Sequence, residues 1–422
     1  MTAAAGETGW KAFFARYGGW IVLAVAAVAY FPRFAKGAVG MTVYPDGAAC
    51  FLKNQPIISC AELFSYPPAL AFFMTPFVPL SMGWRNVIWY AISIAATIGC
   101  YVLSERFARR LYPVADDART LFWLRAFVLL LSIKFAQAVF VYQAFDTLAF
   151  FVILLGLHAL SQDRDRSAAV WLALATAVKA TPLIFLPYLI FRRRFMAAGV
   201  FVVALAFFCV LPDLYTMATG ARPHFFMDWI GVVAGPALTP GGSAGGQTFW
   251  DMWMGQNLNN QSFRGVVQRL AAGTDWSAGG RFVLLALDLT LIAACTAMMF
   301  KSPRRNDHIA IDGAILLIAT LALSPITSRY HFVLLILPYT LLVAGAIHDR
   351  GLRRILVPLL VVSFVLLTGT SNDLTGKALA HIAFRYGFLI AGSMVLLGGL
   401  AVLLWRRPNV QVRSSDGINP SS

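Results

Sequence analysis

Charge is scarce in this sequence. Only 13% of its 422 residues are charged while 59% are hydrophobic, and the mean hydropathy of +0.71 means more apolar surface than a water-soluble domain can bury. Acids are scarcest, 19 against 34 Lys and Arg, for a net charge of +15. Segments of about ten residues with alternating polarity, the mark of a membrane β-barrel, are missing. So are a removable signal peptide with a small-residue cleavage site and any detectable internal repeat. With 6 His and 5 Cys, no metal cluster stands out. What is present is a series of apolar runs of the length that crosses about 30 Å of hydrocarbon, with more Pro and Gly than soluble helices carry.

The basic residues could suggest nucleic acid, but they fall in short clusters between apolar runs: Lys11/Arg16, Arg106/Arg109/Arg110, Arg164/Arg166, Arg192–Arg194, Lys301/Arg304/Arg305, Arg350/Arg353/Arg354 and Arg406/Arg407. Under the positive-inside rule they mark cytoplasmic ends and place both termini inside. Spans are expected near 18–34, 67–82, 84–104, 121–141, 143–160, 168–191, 195–212, 282–300, 308–323, 331–347, 355–370 and 386–405. The fold class is therefore all-α, a polytopic bundle of about eleven to thirteen transmembrane helices. Residues 1–408 form one membrane domain and 409–422 a polar, disordered cytoplasmic tail.

Two runs conflict with simple parity. The segment 67–82 holds Pro67, Pro68, Pro76 and Pro79 and reads as full span or re-entrant piece. The segment 168–191 lies between Arg164 and Arg192–Arg194, so it must enter and leave on one side, breaking at Lys179-Ala-Thr-Pro182. Proline removes a backbone donor and disfavours helix in the residue before it, and a broken helix at membrane depth is tolerated where it lines a cavity.

This orientation gives the outer side two long loops, about 35–66 and 213–280, and two short ones, 324–330 and 371–385. Cys50 and Cys60 lie in the first and on an oxidising face are expected to form a disulfide that stiffens the segment bearing Asp46. Without a neighbouring His they make a poor zinc site. The second loop carries Trp229, Trp250, Trp253 and Trp276 around a flexible 240–246 glycine run. An interfacial aromatic belt is the simpler reading of these tryptophans, ligand stacking the other.

Polar residues thus gather on the outer face: Asp46, Lys179, Arg264, Arg269, Arg329 and His331. An anionic substrate held in the membrane needs such a mixture, because Arg, Lys or His neutralises phosphate while a carboxylate takes a proton from an attacking hydroxyl. Each residue also has a bland reading. Arg329 and His331 serve equally as interfacial anchors, and Lys179 as a snorkelling side chain. Asn260, Gln261 and Arg264 serve as a helix cap or as contacts to sugar hydroxyls, and Asp146 as an N-terminal dipole partner rather than a second base.

Six short motifs occur in an order that resembles glycosyltransferase family 87, the polyprenyl-phosphate-mannose-dependent membrane mannosyltransferases of bacteria. They are Tyr44 with Ala48-Ala49, Tyr66-Pro67-Pro68, Tyr142-Gln143, Lys179 with Pro182, Asn260-Gln261-Ser262-Phe263 with Arg269, and Ser324-Pro325 before His331. The resemblance runs through about 40–345. It implies a C-type membrane glycosyltransferase whose extracytoplasmic loops roof the active site, in a bacterial inner membrane with that site facing the periplasm. It also implies a lipid-phosphate-linked sugar donor, a lipid or glycan acceptor, no nucleic-acid partner and no cofactor. Tyr44, Tyr66, Gln143, Asn260 and Gln261 are then substrate contacts. Lys179, Arg329, His331 and Arg264 bind the donor phosphate.

The family usually carries an Asp about four residues before the tyrosine, a place held here by Gly40. The nearest acid is Asp46, expected as the base, with Glu62 next. One evident carboxylate implies a single inverting displacement. A divalent ion bridging Asp46 and the donor phosphate stays an open alternative, as do a transporter or lipid flippase, which would show paired halves and midplane charges, and a scaffold without catalysis.

Overall fold

The computed structural model describes residues 28–36, 39–112, 118–222, 224–238, 257–271 and 279–406. Most of the first apolar run, the 240–246 glycine run, Trp250, Trp253, Trp276 and the 409–422 tail lie outside them. The described residues form helices and turns, with no strand among them.

The segment after the first run, expected as a loop, is largely helical. It forms helix α1, Val39–Leu52, which accommodates Pro45, and a short turn of helix at Ile57–Cys60. The Tyr-Pro-Pro sequence then starts α2, Pro68–Met74. Helices α3 (Met82–Leu111), α4 (Ala118–Tyr142), α5 (Asp146–Leu160), α6 (Asp165–Val178), α7 (Phe185–Phe191), α8 (Phe195–Ala218) and α9 (Phe225–Trp229) follow. Beyond them come α10 (Phe263–Leu270), α11 (Arg281–Lys301), α12 (Ile309–Leu323), α13 (Ile336–His348), α14 (Arg350–Phe364), α15 (Asn372–Arg385) and α16 (Phe388–Arg406).

Eight of the described helices are long and apolar enough to cross a membrane: Met82–Leu111, Ala118–Tyr142, Phe195–Ala218, Arg281–Lys301, Asn306–Leu323, Arg329–His348, Arg350–Gly369 and Phe388–Arg406. Pro68–Phe77, Asp146–Leu160, Thr181–Phe191 and Phe225–Ala234 are shorter apolar pieces. The chain is a multi-pass, all-helical membrane protein. Its centre is built by Asn306–Leu323 and Arg329–His348, whose apolar windows are 78% buried, whereas those of Phe195–Ala218 and Arg281–Lys301 are 22% buried. In lipid such an outward apolar face needs no protein cover, so side chains like Phe282 and Val203 stand exposed.

The parity conflict at 168–191 is resolved by a hairpin. Helix α6 rises to Val178, the chain turns at Lys179, a 3-10 turn at Thr181–Ile184 follows, and α7 runs back. The two ends of the hairpin are tied at its base, where Arg194 donates to Asp165 at 2.7 Å and pairs with Asp163 at 2.9 Å. A 14-residue α6 is about 21 Å long at 1.5 Å per residue. Lys179 therefore sits at the tip, well across the hydrocarbon from its basic ends.

Those ends collect the other basic clusters. Arg110 donates to Ser161 at 2.7 Å, and Arg194 reaches Asn306 at 2.9 Å. Arg353 donates to the Ala346 and Ile347 carbonyls at 2.9 and 3.0 Å. At the same end Arg192 forms a buried ion pair with Asp312 and donates to the Ser302 carbonyl at 3.0 Å, while the Tyr188 hydroxyl donates to Asp312 at 3.0 Å. One end of the bundle is thus rich in Arg, and the opposite end carries Lys179, His331 and Asp146.

Cys50 and Cys60 are bonded, with their Cα atoms 6.0 Å apart. The bridge fixes the end of α1 to the Ile57–Cys60 turn. Closing a short loop removes unfolded-state entropy, so the double change Cys50→Ser/Cys60→Ser is expected to lower stability by about 2–3 kcal/mol. Thermal unfolding of the purified protein checks this. An unchanged midpoint would mean that the native contacts of α1 alone hold the segment.

Candidate active site

Three segments distant in sequence meet at the end of the bundle opposite the arginine-rich one. The α4–α5 junction turns through Gln143, whose φ of 50° lies in the left-handed region, an uncommon conformation for a side-chain-bearing residue. That turn aims the start of α5 inward, so Asp146 is only 3% exposed. The tip of the α6–α7 hairpin brings Lys179, which pairs with Asp146 Oδ1. The 3-10 segment Arg329–Leu335, just before α13, brings His331, whose Nε2 lies 3.3 Å from the same oxygen.

The tautomer follows from the second ring nitrogen. The Ser328 backbone N–H donates to His331 Nδ1 at 2.6 Å, so Nδ1 is an acceptor and Nε2 carries the proton that faces Asp146. Oδ1 therefore meets two donors. Oδ2 is buried and has no hydrogen-bond partner among the described residues.

These three side chains line a cavity whose open space, mouth included, is about 520 Å³. Its walls also carry Thr181, Pro182, Ser324 and Thr327, and deeper in Phe150, Ile153, Phe185 and Leu317. A cation, a carboxylate and a histidine at the head of an apolar shaft can neutralise an anionic head group, exchange a proton and accommodate apolar substituents. Charges at such depth are costly and characteristic of function. Among the described residues no group of three His, Cys, Asp or Glu is placed to hold a metal ion.

The other candidate residues divide into two sets. Tyr44 faces this region: its hydroxyl accepts the Phe145 N–H at 3.0 Å, and its ring packs edge-on against Tyr66 with centroids 5.5 Å apart. Asp46, two residues on, is exposed. A step of two residues turns about 200° around a helix, so Asp46 points away from the face Tyr44 presents. Its carboxylate has no hydrogen bond or ion pair among the described residues. Glu62 is likewise exposed.

Gln143 is a brace. Its side chain accepts the Met41 N–H at 3.0 Å and donates to the Phe34 carbonyl at 3.0 Å and to Asn86 at 2.9 Å. Its own carbonyl accepts the Trp89 indole N–H at 2.9 Å. Gly40 packs so closely against this turn that an added Cβ would stand 2.3 Å from the Gln143 carbonyl oxygen, so no side chain fits at position 40.

Asn260 and Gln261 brace the roof. Asn260 donates to the Pro325 carbonyl at 2.9 Å and accepts the Thr327 N–H at 3.1 Å. Gln261 donates to the Phe384 carbonyl at 2.9 Å. Arg269, 4% exposed, donates to the carbonyls of Asn257 at 2.9 Å and Phe384 at 2.9 Å and to that of Asn260 at 2.5 Å. Burial pushes its guanidinium down to about 10, so it remains charged at neutral pH. Burial also lowers Arg264, partly buried on α10. Arg329 stacks over the Phe384 ring with its guanidinium carbon 4.3 Å from the centroid, a cation–π contact. Trp229 ties α9 to the segment before α2, its indole N–H donating to the Ser65 carbonyl at 3.1 Å. Lys179 and His331 are thus brought together, while Arg264 and Arg329 do not line the cavity. Asp146 is the member whose central place sequence reasoning missed.

Fold and site define a multi-pass helical protein with a carboxylate, a lysine and a histidine converging at one end of the bundle. The model of glycosyltransferase family 87 matches residues 64–325, and the chain belongs to that family. It is 28% identical over 297 residues to a polyprenol-phosphate-mannose-dependent alpha-(1-2)-phosphatidylinositol pentamannoside mannosyltransferase of Mycobacterium tuberculosis (strain CDC 1551 / Oshkosh), covering 69% of this chain and 61% of that protein. It is 24% identical over 365 residues to a polyprenol-phosphate-mannose-dependent alpha-(1-2)-phosphatidylinositol mannoside mannosyltransferase of Mycobacterium tuberculosis (strain ATCC 25618 / H37Rv), covering 80% of this chain and 77% of that protein. The chain therefore spans less than two thirds of the first relative. No solved structure matches it.

Proposed function

We propose that this protein is a membrane glycosyltransferase that moves a hexose, mannose in this reading, from a polyprenyl-phosphate-linked donor to a lipid or glycan acceptor. The observation that carries the proposal is the meeting of Lys179, His331 and Asp146 at one cavity, supported by the family match and the activities by which the two mycobacterial relatives are named. The bundle sits in a bacterial inner membrane with this end facing the periplasm, opposite the arginine-rich end.

Lys179 and His331 stabilise the charge that builds on the leaving phosphate, and Arg329 and Arg264 flank the roof. Tyr44 and Tyr66 present an aromatic edge to the sugar. A carboxylate accepts the acceptor's proton, and C1 is displaced once with inversion.

The purified protein is expected to transfer label from polyprenyl-phosphate-mannose and none from a nucleotide sugar. Transfer from the nucleotide sugar alone would overturn the donor assignment. Transport of the intact labelled donor across a vesicle membrane without transfer would support the flippase reading instead.

A further inference from the structure

Resting on the transferase reading, we infer that Asp146, rather than Asp46, is the carboxylate that takes the acceptor's proton. Three observations converge on it. Asp146 is the acid that lines the cavity together with Lys179 and His331. Its Oδ1 is engaged by Lys179 and lies 3.3 Å from His331 Nε2, while Oδ2 is buried without a partner among the described residues. A buried carboxylate oxygen without a donor is costly, and an acceptor hydroxyl donating to Oδ2 removes that cost. Asp46 is exposed on the opposite side of α1 from Tyr44, and position 40 admits no side chain. The turn into α5, whose Gln143 packs against Gly40 and whose Phe145 N–H donates to Tyr44, is where this fold brings an acid inward.

The acceptor hydroxyl gives its proton to Asp146 Oδ2 as its oxygen bonds to C1 of the donor sugar. The C1–O bond to phosphate breaks with its electron pair on the phosphate oxygen, so the singly charged diester leaves as the doubly charged polyprenyl phosphate. Lys179 carries three N–H donors. One serves Asp146 and the others face the growing negative charge. The charged or titratable side chains around Asp146 are Lys179 and His331, with the phenols of Tyr44, Tyr66 and Tyr330 within electrostatic reach.

The test compares wild type, Asp146→Asn, Asp146→Glu and Asp46→Asn in detergent or nanodiscs, reading transfer, donor affinity and the pH profile of kcat. Asp146→Asn is expected to lose about 10²–10⁴-fold in kcat while binding the donor within a few-fold of wild type. Asp146→Glu should recover part of the rate with a displaced acid limb, and Asp46→Asn should stay within a few-fold of wild type. If Asp146→Asn fails to fold, the Asp146→Glu pH profile decides, since a purely structural carboxylate leaves the limb where it was. Full activity of Asp146→Asn, or loss only in Asp46→Asn, overturns the assignment while the transferase reading stands. Absence of transfer by wild type with intact donor binding would instead defeat the transferase reading itself.

Discussion

Lys179→Met lowers transfer from a polyprenyl-phosphate sugar by about 10²–10³-fold, the range seen when one preorganised donor to a developing anion is removed. The lysine stands at the tip of the α6–α7 hairpin, 16% exposed at its side chain, and α6 ends where the chain adopts an extended conformation at residue 179. Little of that charge is shared with bulk water, which is why its loss is felt. The effect should fall mainly on kcat, because the leaving phosphate gains charge between ground state and transition state. Lys179→Arg keeps the charge on a longer, planar fork and should recover only part of the rate. Steady-state kinetics with labelled donor reads both. A Lys179→Met protein that folds and turns over like wild type would remove the lysine from the chemistry and leave it as a hairpin strut.

Breaking the ion pair at the opposite end gives the second large effect. Arg192 and Asp312 are 8% and 1% exposed at their side chains. Truncating one partner leaves the other charge buried and uncompensated, at about 3–5 kcal/mol. Arg192→Met and Asp312→Leu should each cost about that much stability, whereas the double variant should recover most of the loss, since apolar replacement of a buried pair is often neutral. Thermal unfolding of the four proteins completes the cycle. Additive losses would show that the two residues are not energetically coupled. Transfer by the folded double variant should remain near wild type, because this pair lies across the bundle from Lys179.

The helices are legible in the sequence because lipid demands long uninterrupted apolar runs, and each run from 84–104 onward except 168–191 coincides with a helix. The α6–α7 hairpin is legible for a different reason: Arg164 and Arg192–Arg194 demand the same side, and Lys179-Ala-Thr-Pro182 supplies the break. The segment 35–66 misleads. Gly40, Pro45 and Gly47 read as loop, yet they lie within α1, where Gly40 and Gly47 permit close packing against Gln143 and Phe64.

Once α1 is helical, the phase difference between Tyr44 and Asp46 decides which of them faces inward. Sequence order alone carries no such phase. Asp146 is missed because its partners stand 33 residues away at Lys179 and further still at His331, and a lone acid at a helix start already has an adequate explanation in the helix dipole. Gln143 and Asn260 look like sugar contacts because the amide groups that bind hydroxyls also satisfy backbone carbonyls and N–H groups. Only the hydrogen-bond partners distinguish the two uses.

The most direct test of the central claim is a stoichiometry. Purified protein is incubated with doubly labelled polyprenyl-phosphate-mannose, the label split between sugar and lipid, in the presence of a lipid acceptor. The account predicts that sugar label moves to the acceptor and that one polyprenyl phosphate is released per sugar transferred. Donor recovered intact, or carried across the membrane with both labels together, would contradict it.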